Sequence, residues 1–346
     1  MFNSVYEKMN NSFKQIWKEI RKAKRVLMTL HARPDGDSLG SCTAMKYVLE
    51  SKGISVKLVS KDNMSENLDA FDFSKEVEYG VSIETLNLEE FDYIIFLDHG
   101  SLDDYSDEFK EKLKGRKIID IDHHFTNSCY GNLNYVDPNA PSSCSILYDF
   151  FEKIGVKFNK DIALRLMLGI CTDTAFFIYG NSLESLRKAA VLIDKGNLDY
   201  KKDLVSKITS NAWALKKLHG ILLSNMKKEE INGKTVAYSW ATKKEYQKFG
   251  LNSSDMRLGI MCMQNIKGLD LIFALIEMDG AIKGSFASNN LDTTVYSTGF
   301  GGGGHKLRSG FMLKTKDMKK AIETVLKAIK EKGFVNVENV NDRTEP

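Results

Sequence analysis

The chain has 346 residues, 42% apolar, 10% aromatic and 27% charged, the make-up of an ordinary globular protein and long enough that two domains are expected. Its 49 basic and 46 acidic residues leave a formal net charge of +3, which excludes a global field able to hold long nucleic acid without local contacts. No apolar run nears the ~20 residues of a membrane span and the amino terminus lacks a signal-peptide pattern, while 5 cysteines without a CxxC pair exclude a thiolate zinc cluster and fit a reducing compartment, so a cytoplasmic protein is expected.

Phe13, Ile16, Trp17 and Ile20 recur at helical spacing. Residues 25–30 (RVLMTL) then read as a strand, 41–52 as a helix and 54–60 (ISVKLVS) as a second strand, with the loop HARPDGDS between the first strand and the helix. Two further apolar runs, 93–97 (YIIFL) and 117–121 (KIIDI), alternate with helical stretches, so an α/β fold with a mostly parallel, doubly wound sheet is expected. Helical periodicity covers 161–172 and 183–195, with Gly196 as a stop. Residues 203–230 turn lysine-rich and helical, and 196–230 read as a linker between a catalytic domain of 1–195 and a smaller α/β domain of 231–335. In that second domain 234–242, 269–277 and 281–288 read as strands, the last two joined by a hairpin turn at Asp279-Gly280. A glycine run, GFGGGGHK at 299–306, precedes a short strand and a final helix at 318–332, and 336–346 read as a flexible tail.

Three polar clusters begin where three apolar strands stop. His31, Asp35 and Asp37 follow the first, Asp98 follows YIIFL, and Asp122, His123 and His124 follow KIIDI. Pro34 and Gly36 bend the first loop tightly, and taken alone that loop could equally be a turn in which Asp37 or Ser38 caps the next helix. In a parallel sheet, however, these strand ends lie side by side, along the edge where open α/β folds bind ligands. So many carboxylates repel one another unless cations sit among them, and a donor set of oxygen and nitrogen without thiolate favours Mn²⁺ or Mg²⁺, two ions rather than one. Asp173 ends a helix, where its charge opposes the macrodipole; it is a further candidate ligand, with a solvent-facing turn as the alternative.

HARPDGDS, the strand-ending Asp98, IDIDHH and TDT resemble, in this order, the motifs of the DHH phosphoesterases, and GFGGGGHK resembles the signature of the DHH-associated C-terminal domain. Length and glycine run together are most similar to the stand-alone bacterial nanoRNase and pAp phosphatase group. The resemblance implies one Mn²⁺ held by His31, Asp35 and Asp98 and a second held by Asp37, Asp98, His123 and Asp173, with Asp98 bridging and Mg²⁺ the other metal in view. It implies that Asp122 orients a neighbouring imidazole from the outer sphere, that His124 contacts the scissile phosphate or leaving oxygen, and that Gly301, Gly302, Gly303, Gly304 and His305 cradle a terminal phosphate, with substrate between the domains.

The implied activity is two-metal hydrolysis of very short oligoribonucleotides, two to five nucleotides long, to nucleoside monophosphates, together with removal of the 3′ phosphate of 3′-phosphoadenosine 5′-phosphate (pAp). The implied partners are short RNA and nucleotides, not long duplexes or membranes, and a homodimer is left open. Two other readings stand beside it. One is a phosphodiesterase for cyclic di-AMP or its linear product pApA, and the other is a nucleotide-binding regulatory module with a decayed site, against which the full set of competent ligands speaks. The chain departs from the family pattern at Ala287, in Ser285-Phe286-Ala287-Ser288, where arginine is usual, so one phosphate contact is expected to be missing, and Arg308 in HKLRSG, where the family usually has small residues, is the candidate to compensate for it. His99 after Asp98, and Ala175 in place of a usual glycine, are further differences.

Overall fold

Apolar strands buried on both faces must be covered on both sides, and the first half of the chain does this with one parallel sheet. In the computed structural model, which describes residues 9–178, 182–209, 213–251, 260, 262–264 and 266–337, that sheet holds β1 (Arg25–Thr29), β2 (Ser55–Ser60), β3 (Glu78–Tyr79), β4 (Tyr93–Leu97), β5 (Ile118–Asp122) and β6 (Leu133–Val136). The spatial order is β3-β2-β1-β4-β5-β6, and every neighbouring pair is parallel. The order reverses between β1 and β4, which makes their carboxyl ends the topological switch point.

Val26, Met28, Ile95, Leu97, Ile119 and Ile121 face one core, shared with α1 (Phe13–Ile20), α2 (Gly36–Glu50), α4 (Ser143–Lys153) and α5 (Lys160–Asp173). Leu27, Ile94, Phe96 and Ile118 alternate to the other face, where Phe109 and Leu113 of α3 (Asp107–Leu113) cover them. The doubly wound reading therefore describes this sheet. Two short strands, β3 and β6, had no apolar run to announce them.

The chain divides into two units, 1–210 and 211–346. The expected linker at 196–230 is split between them. Leu198 and Leu204 pack into the first core, whereas Leu215, Leu218 and Leu222 of α7 (Trp213–Asn225) pack into the second, because each carries an apolar stripe that needs a partner. α6 (Ser182–Gly196) belongs to the first unit. Part of the lysine-rich stretch is an edge strand, β7 (Lys227–Ile231), whose residues are exposed up to Ile231; lysines and glutamates on an edge mask a strand from a reading based on apolar periodicity.

The second unit has a sheet of order β11-β12-β10-β9-β8-β7, with β8 (Lys234–Ala241), β9 (Leu271–Glu277), β10 (Ile282–Ala287), β11 (Gly303–His305) and β12 (Arg308–Leu313). Only the β8–β9 pair is parallel. α7 covers one face, and α8 (Met318–Lys332) covers the other through Ala321, Val325 and Ile329. The β9–β10 hairpin turns at Gly280, with φ of 81°. The expected tail lies outside the described residues from position 338 onward.

Candidate metal centre

Asp35 and Asp37 do different jobs. Asp35 is the residue that caps α2: its Oδ1 accepts the N–H groups of Asp37 (3.0 Å) and Ser38 (3.1 Å), so the helix starts at Gly36, earlier than its periodicity suggests. Asp37 is then carried on the first turn and fully buried. Its two oxygens accept the N–H groups of Ser143 (2.6 Å) and Cys144 (2.9 Å) at the start of α4, where exposed amides and the helix dipole favour an anion.

Asp98 follows β4 in the left-handed region, φ 60°, a conformation aspartate tolerates better than most residues. That turn sets its carboxylate beside both neighbouring strand ends. His31 Nε2 lies 3.5 Å from Asp98 Oδ2 and 3.5 Å from Asp35 Oδ1. His123 Nε2 lies 3.4 Å from Asp98 Oδ1, 3.2 Å from Asp173 Oδ2 and 4.0 Å from Asp37 Oδ2. Donor atoms thus converge in three groups, His31/Asp35/Asp98, Asp37/His123/Asp173 and Asp98/His123/His124, the atoms of each within 4.8 Å of one another.

The imidazoles are turned by bonds on their far sides. His31 Nδ1 bonds the Ala32 carbonyl (2.9 Å) and His123 Nδ1 the Ala140 carbonyl (3.3 Å), which directs each Nε2 at the carboxylates. His124 Nδ1 bonds Asp122 Oδ1 (2.8 Å), and Asp122 Oδ2 accepts Asn127 Nδ2 (2.7 Å). Asp122 is therefore placed behind His124 and touches no other candidate ligand's imidazole.

Charge in the cluster is balanced by protons when no cation is bound. Burial opposes a charge on His31, but Asp35 and Asp98 outweigh it and push its pKa up to about 11. Burial again opposes charge on His123, and Asp173 and Asp98 hold it well above the usual imidazole range. Burial raises Asp37 well above the usual carboxylate range, with Asp98 and Asp173 adding to it, and burial lifts Asp173 to about 6 against the pull of His123. Asp98 goes the other way, since His123 and His31 outweigh its burial. A divalent cation fits this donor set because it can replace those protons as the counter-charge.

Several contributors escaped the sequence. Gly169 of α5 has no room for a side chain: a Cβ there would stand 2.2 Å from Asp37 Oδ1 and 2.3 Å from Cys144 Sγ. A Cβ on Gly40 would stand 2.4 Å from the Arg165 carbonyl, so α2 and α5 approach through glycines and bring Asp173 to Asp37. The Ser143 and Cys144 amides and Asn127 carried no signal at all. His99 is buried behind Asp98 and bonds Tyr105 through Nε2 (2.8 Å); burial, then nearby His31, pulls its pKa down to about 4. Ala175, Phe176 and Phe177 all have positive φ, from 46° to 71°, which is why glycine suits position 175 and why alanine there is strained.

In the second unit the glycine run is less open than expected. The N–H of Gly301 bonds the Thr298 carbonyl (3.0 Å) and that of Gly302 the Ser297 carbonyl (2.9 Å), while Gly303, Gly304 and His305 form β11 against β12. A Cβ on Gly302 would stand 2.1 Å from the Gly310 carbonyl, so this glycine is required by packing. The His305 side chain lies outside the described residues. Arg308 is the direct cross-strand neighbour of Ala287 and extends to Gln264 Oε1 (2.5 Å), beside a small pocket lined by Gln264, Ala287 and Ser288.

Residues 25–170 match the model of the DHH family, N-terminal domain. The chain is similar to the bifunctional oligoribonuclease and PAP phosphatase NrnA of Bacillus subtilis, 25% identical over 289 residues, 82% of this chain and 88% of that one. It is similar to the protein of the same description from Thermus thermophilus, 27% identical over 330 residues, 91% and 94% of the two chains. Among solved structures, an exopolyphosphatase-related protein of Bacteroides fragilis shares the fold with TM-score 0.84 at 24% identity, over 92% of this chain and 95% of that one. RecJ of Thermus thermophilus in complex with Mn²⁺ shares it with TM-score 0.54 at 14% identity, over 94% and 55%.

Proposed function

We propose that this chain, whose residues 25–170 form a DHH family N-terminal domain, is a metal-dependent phosphoesterase that hydrolyses very short oligoribonucleotides to nucleoside monophosphates and removes the 3′ phosphate of pAp. The observation that carries the reading is that two donor sets, His31 with Asp35 and Asp37 with His123 and Asp173, flank one buried aspartate, Asp98, which His31 approaches from one set (3.5 Å) and His123 from the other (3.4 Å). The described relatives from Bacillus and Thermus, which span most of the chain, support the pair of activities.

With only oxygen and nitrogen donors, the two positions suit Mn²⁺ first and Mg²⁺ second, Asp98 serving both. When bound, such cations supply a water acidic enough to attack near neutral pH and neutralise the charge growing on the phosphoryl oxygens. The chain's own residues supply orientation. The Ala32 and Ala140 carbonyls fix the rings of His31 and His123, and the Ser143 and Cys144 amides fix Asp37. Asp122 holds Nδ1 of His124 and so orients the ring, and His124 delivers a proton to the departing oxygen through Nε2. Within the second unit, Arg308 with the backbone at 303–305 receives a backbone phosphate of a longer oligonucleotide, beyond the scissile one.

The test is product release with Mn²⁺ from pAp, pApA, a five-residue RNA and cyclic di-AMP. Turnover of the first three supports the reading. Turnover of cyclic di-AMP alone replaces it with a cyclic dinucleotide phosphodiesterase, and no turnover with either Mn²⁺ or Mg²⁺ replaces it with a binding module. Among the described residues no helix is long and apolar enough to cross a membrane.

A further inference from the structure

A cleft of about 320 Å³ opens from the candidate metal centre within the first unit. It shares His31, Asp35, Asp98 and His124 with the centre and continues to Lys61, Glu84 and Asp104. Lys61 is the single lysine or arginine among its lining residues, which also include the carboxylates of Asp35, Glu84, Asp98 and Asp104; the imidazoles of His31, His99 and His124 stand at or behind the candidate metal centre. Lys61 is therefore the cationic side chain of the cleft that is not itself part of the centre, and the place where an anionic group of the substrate, other than the one at the metals, can rest.

The position of Lys61 is fixed by the sheet. It follows β2 as His31 follows β1, and the two strands stay paired to their ends, since the N–H of Leu30 bonds the Val59 carbonyl (3.0 Å). Neighbouring strands stand ~4.8 Å apart, so a lysine there is one strand's width from a candidate metal ligand. The backbone around it is tied down: Ser60 Oγ donates to the Asp62 carbonyl (2.6 Å), and Asp62 Oδ2 accepts the Arg33 N–H (2.7 Å), joining this turn to the loop that carries His31 and Asp35. Glu84, the carboxylate in electrostatic reach of Lys61, is already engaged, its Oε1 accepting the Ser106 N–H at 2.7 Å. Lys61 makes no ion pair within 4.0 Å among the described residues.

The two proposed substrates share a leaving group. Hydrolysis of pAp joins water oxygen to phosphorus, breaks the P–O3′ bond and releases inorganic phosphate and pA; hydrolysis of pApA breaks the corresponding P–O3′ bond and releases two pA. In each case the departing 3′-oxygen takes a proton, and it belongs to a nucleoside that bears a 5′-phosphate. Resting on the phosphoesterase reading of the site, we propose that the cleft is the leaving-nucleotide subsite and that Lys61 binds the non-reacting 5′-phosphate of that nucleotide. One cleft then accounts for both activities, because it reads the part the substrates have in common and ignores whether phosphorus carries a free phosphate or another nucleotide.

The experiment compares the full chain with Lys61→Ala and Lys61→Arg, in Mn²⁺, on pApA and on ApA, which lacks the 5′-phosphate. The expected result is that the ratio of kcat/KM for pApA over ApA falls about tenfold or more in Lys61→Ala, through KM, as the loss of a charge-assisted contact predicts. Lys61→Arg recovers most of the ratio. An equal fall on both substrates, or no fall in the ratio, overturns the assignment of Lys61. Wild-type turnover of neither substrate overturns the phosphoesterase reading itself, and the subsite with it.

Discussion

In the first unit the candidate ligands are side chains standing at the ends of buried strands, and nearly every one is held by a second bond: Asp37 by two helix amides, His31 and His123 by backbone carbonyls, His124 by Asp122. In the second unit the expected phosphate contacts are backbone amides of an edge strand and one arginine, and the Gly301 and Gly302 amides already bond Thr298 and Ser297. The first arrangement concentrates chemistry in a few irreplaceable atoms. The second spreads it over the backbone of a glycine run, and leaves selectivity to a single side chain.

If that contrast holds, substitutions should rank by unit. Asp98→Asn should lower kcat/KM more than about 100-fold with Mn²⁺ saturating, beyond the 10–100-fold typical of an outer partner, because both donor sets lose a member. Retention of a tenth of the rate would break the picture of a shared ligand. Asp122→Asn should cost roughly 10–100-fold in kcat with little change in KM, measured on pAp, since it leaves His124 in place but unaligned.

Gly169→Ala tests the support beneath the site. Its methyl group would collide with Asp37 Oδ1, so a loss of roughly 1–3 kcal/mol in denaturant unfolding is expected, with weaker Mn²⁺ binding by calorimetry. Arg308→Ala should do least, raising KM by roughly 3–10-fold, the effect of one charge-assisted contact, with kcat preserved. A loss from Arg308→Ala larger than that from Asp122→Asn would reverse the ranking and place the dominant contacts in the second unit.

The same contrast governs what the sequence discloses. The strand-ending acids and histidines were legible because each follows an apolar run, and a parallel sheet has only one way to align such ends. The switch point between β1 and β4 then follows from chain order. The cap expected at Asp37 or Ser38 falls instead on Asp35, because a loop of short polar residues suits any of the three until the first helical turn is in place. Gly40 and Gly169 were silent because a glycine inside a helix announces nothing until the neighbouring helix is in place. β7 was hidden by its lysines and glutamates, and the occupied amides of Gly301 and Gly302 by the fact that hydrogen bonds of backbone to backbone leave no trace in residue identity.

The left-handed backbone at position 98 narrows what drift can do there. Most side chains would resist that turn by about 1–2 kcal/mol, whereas glycine, asparagine and aspartate accept it. Only the last of the three brings a negative charge to the candidate metal centre. A descendant of this chain that had abandoned hydrolysis and kept its shape should therefore carry asparagine or glycine at this one place, a fossil readable from sequence and quite different from the random replacement expected at an unconstrained surface.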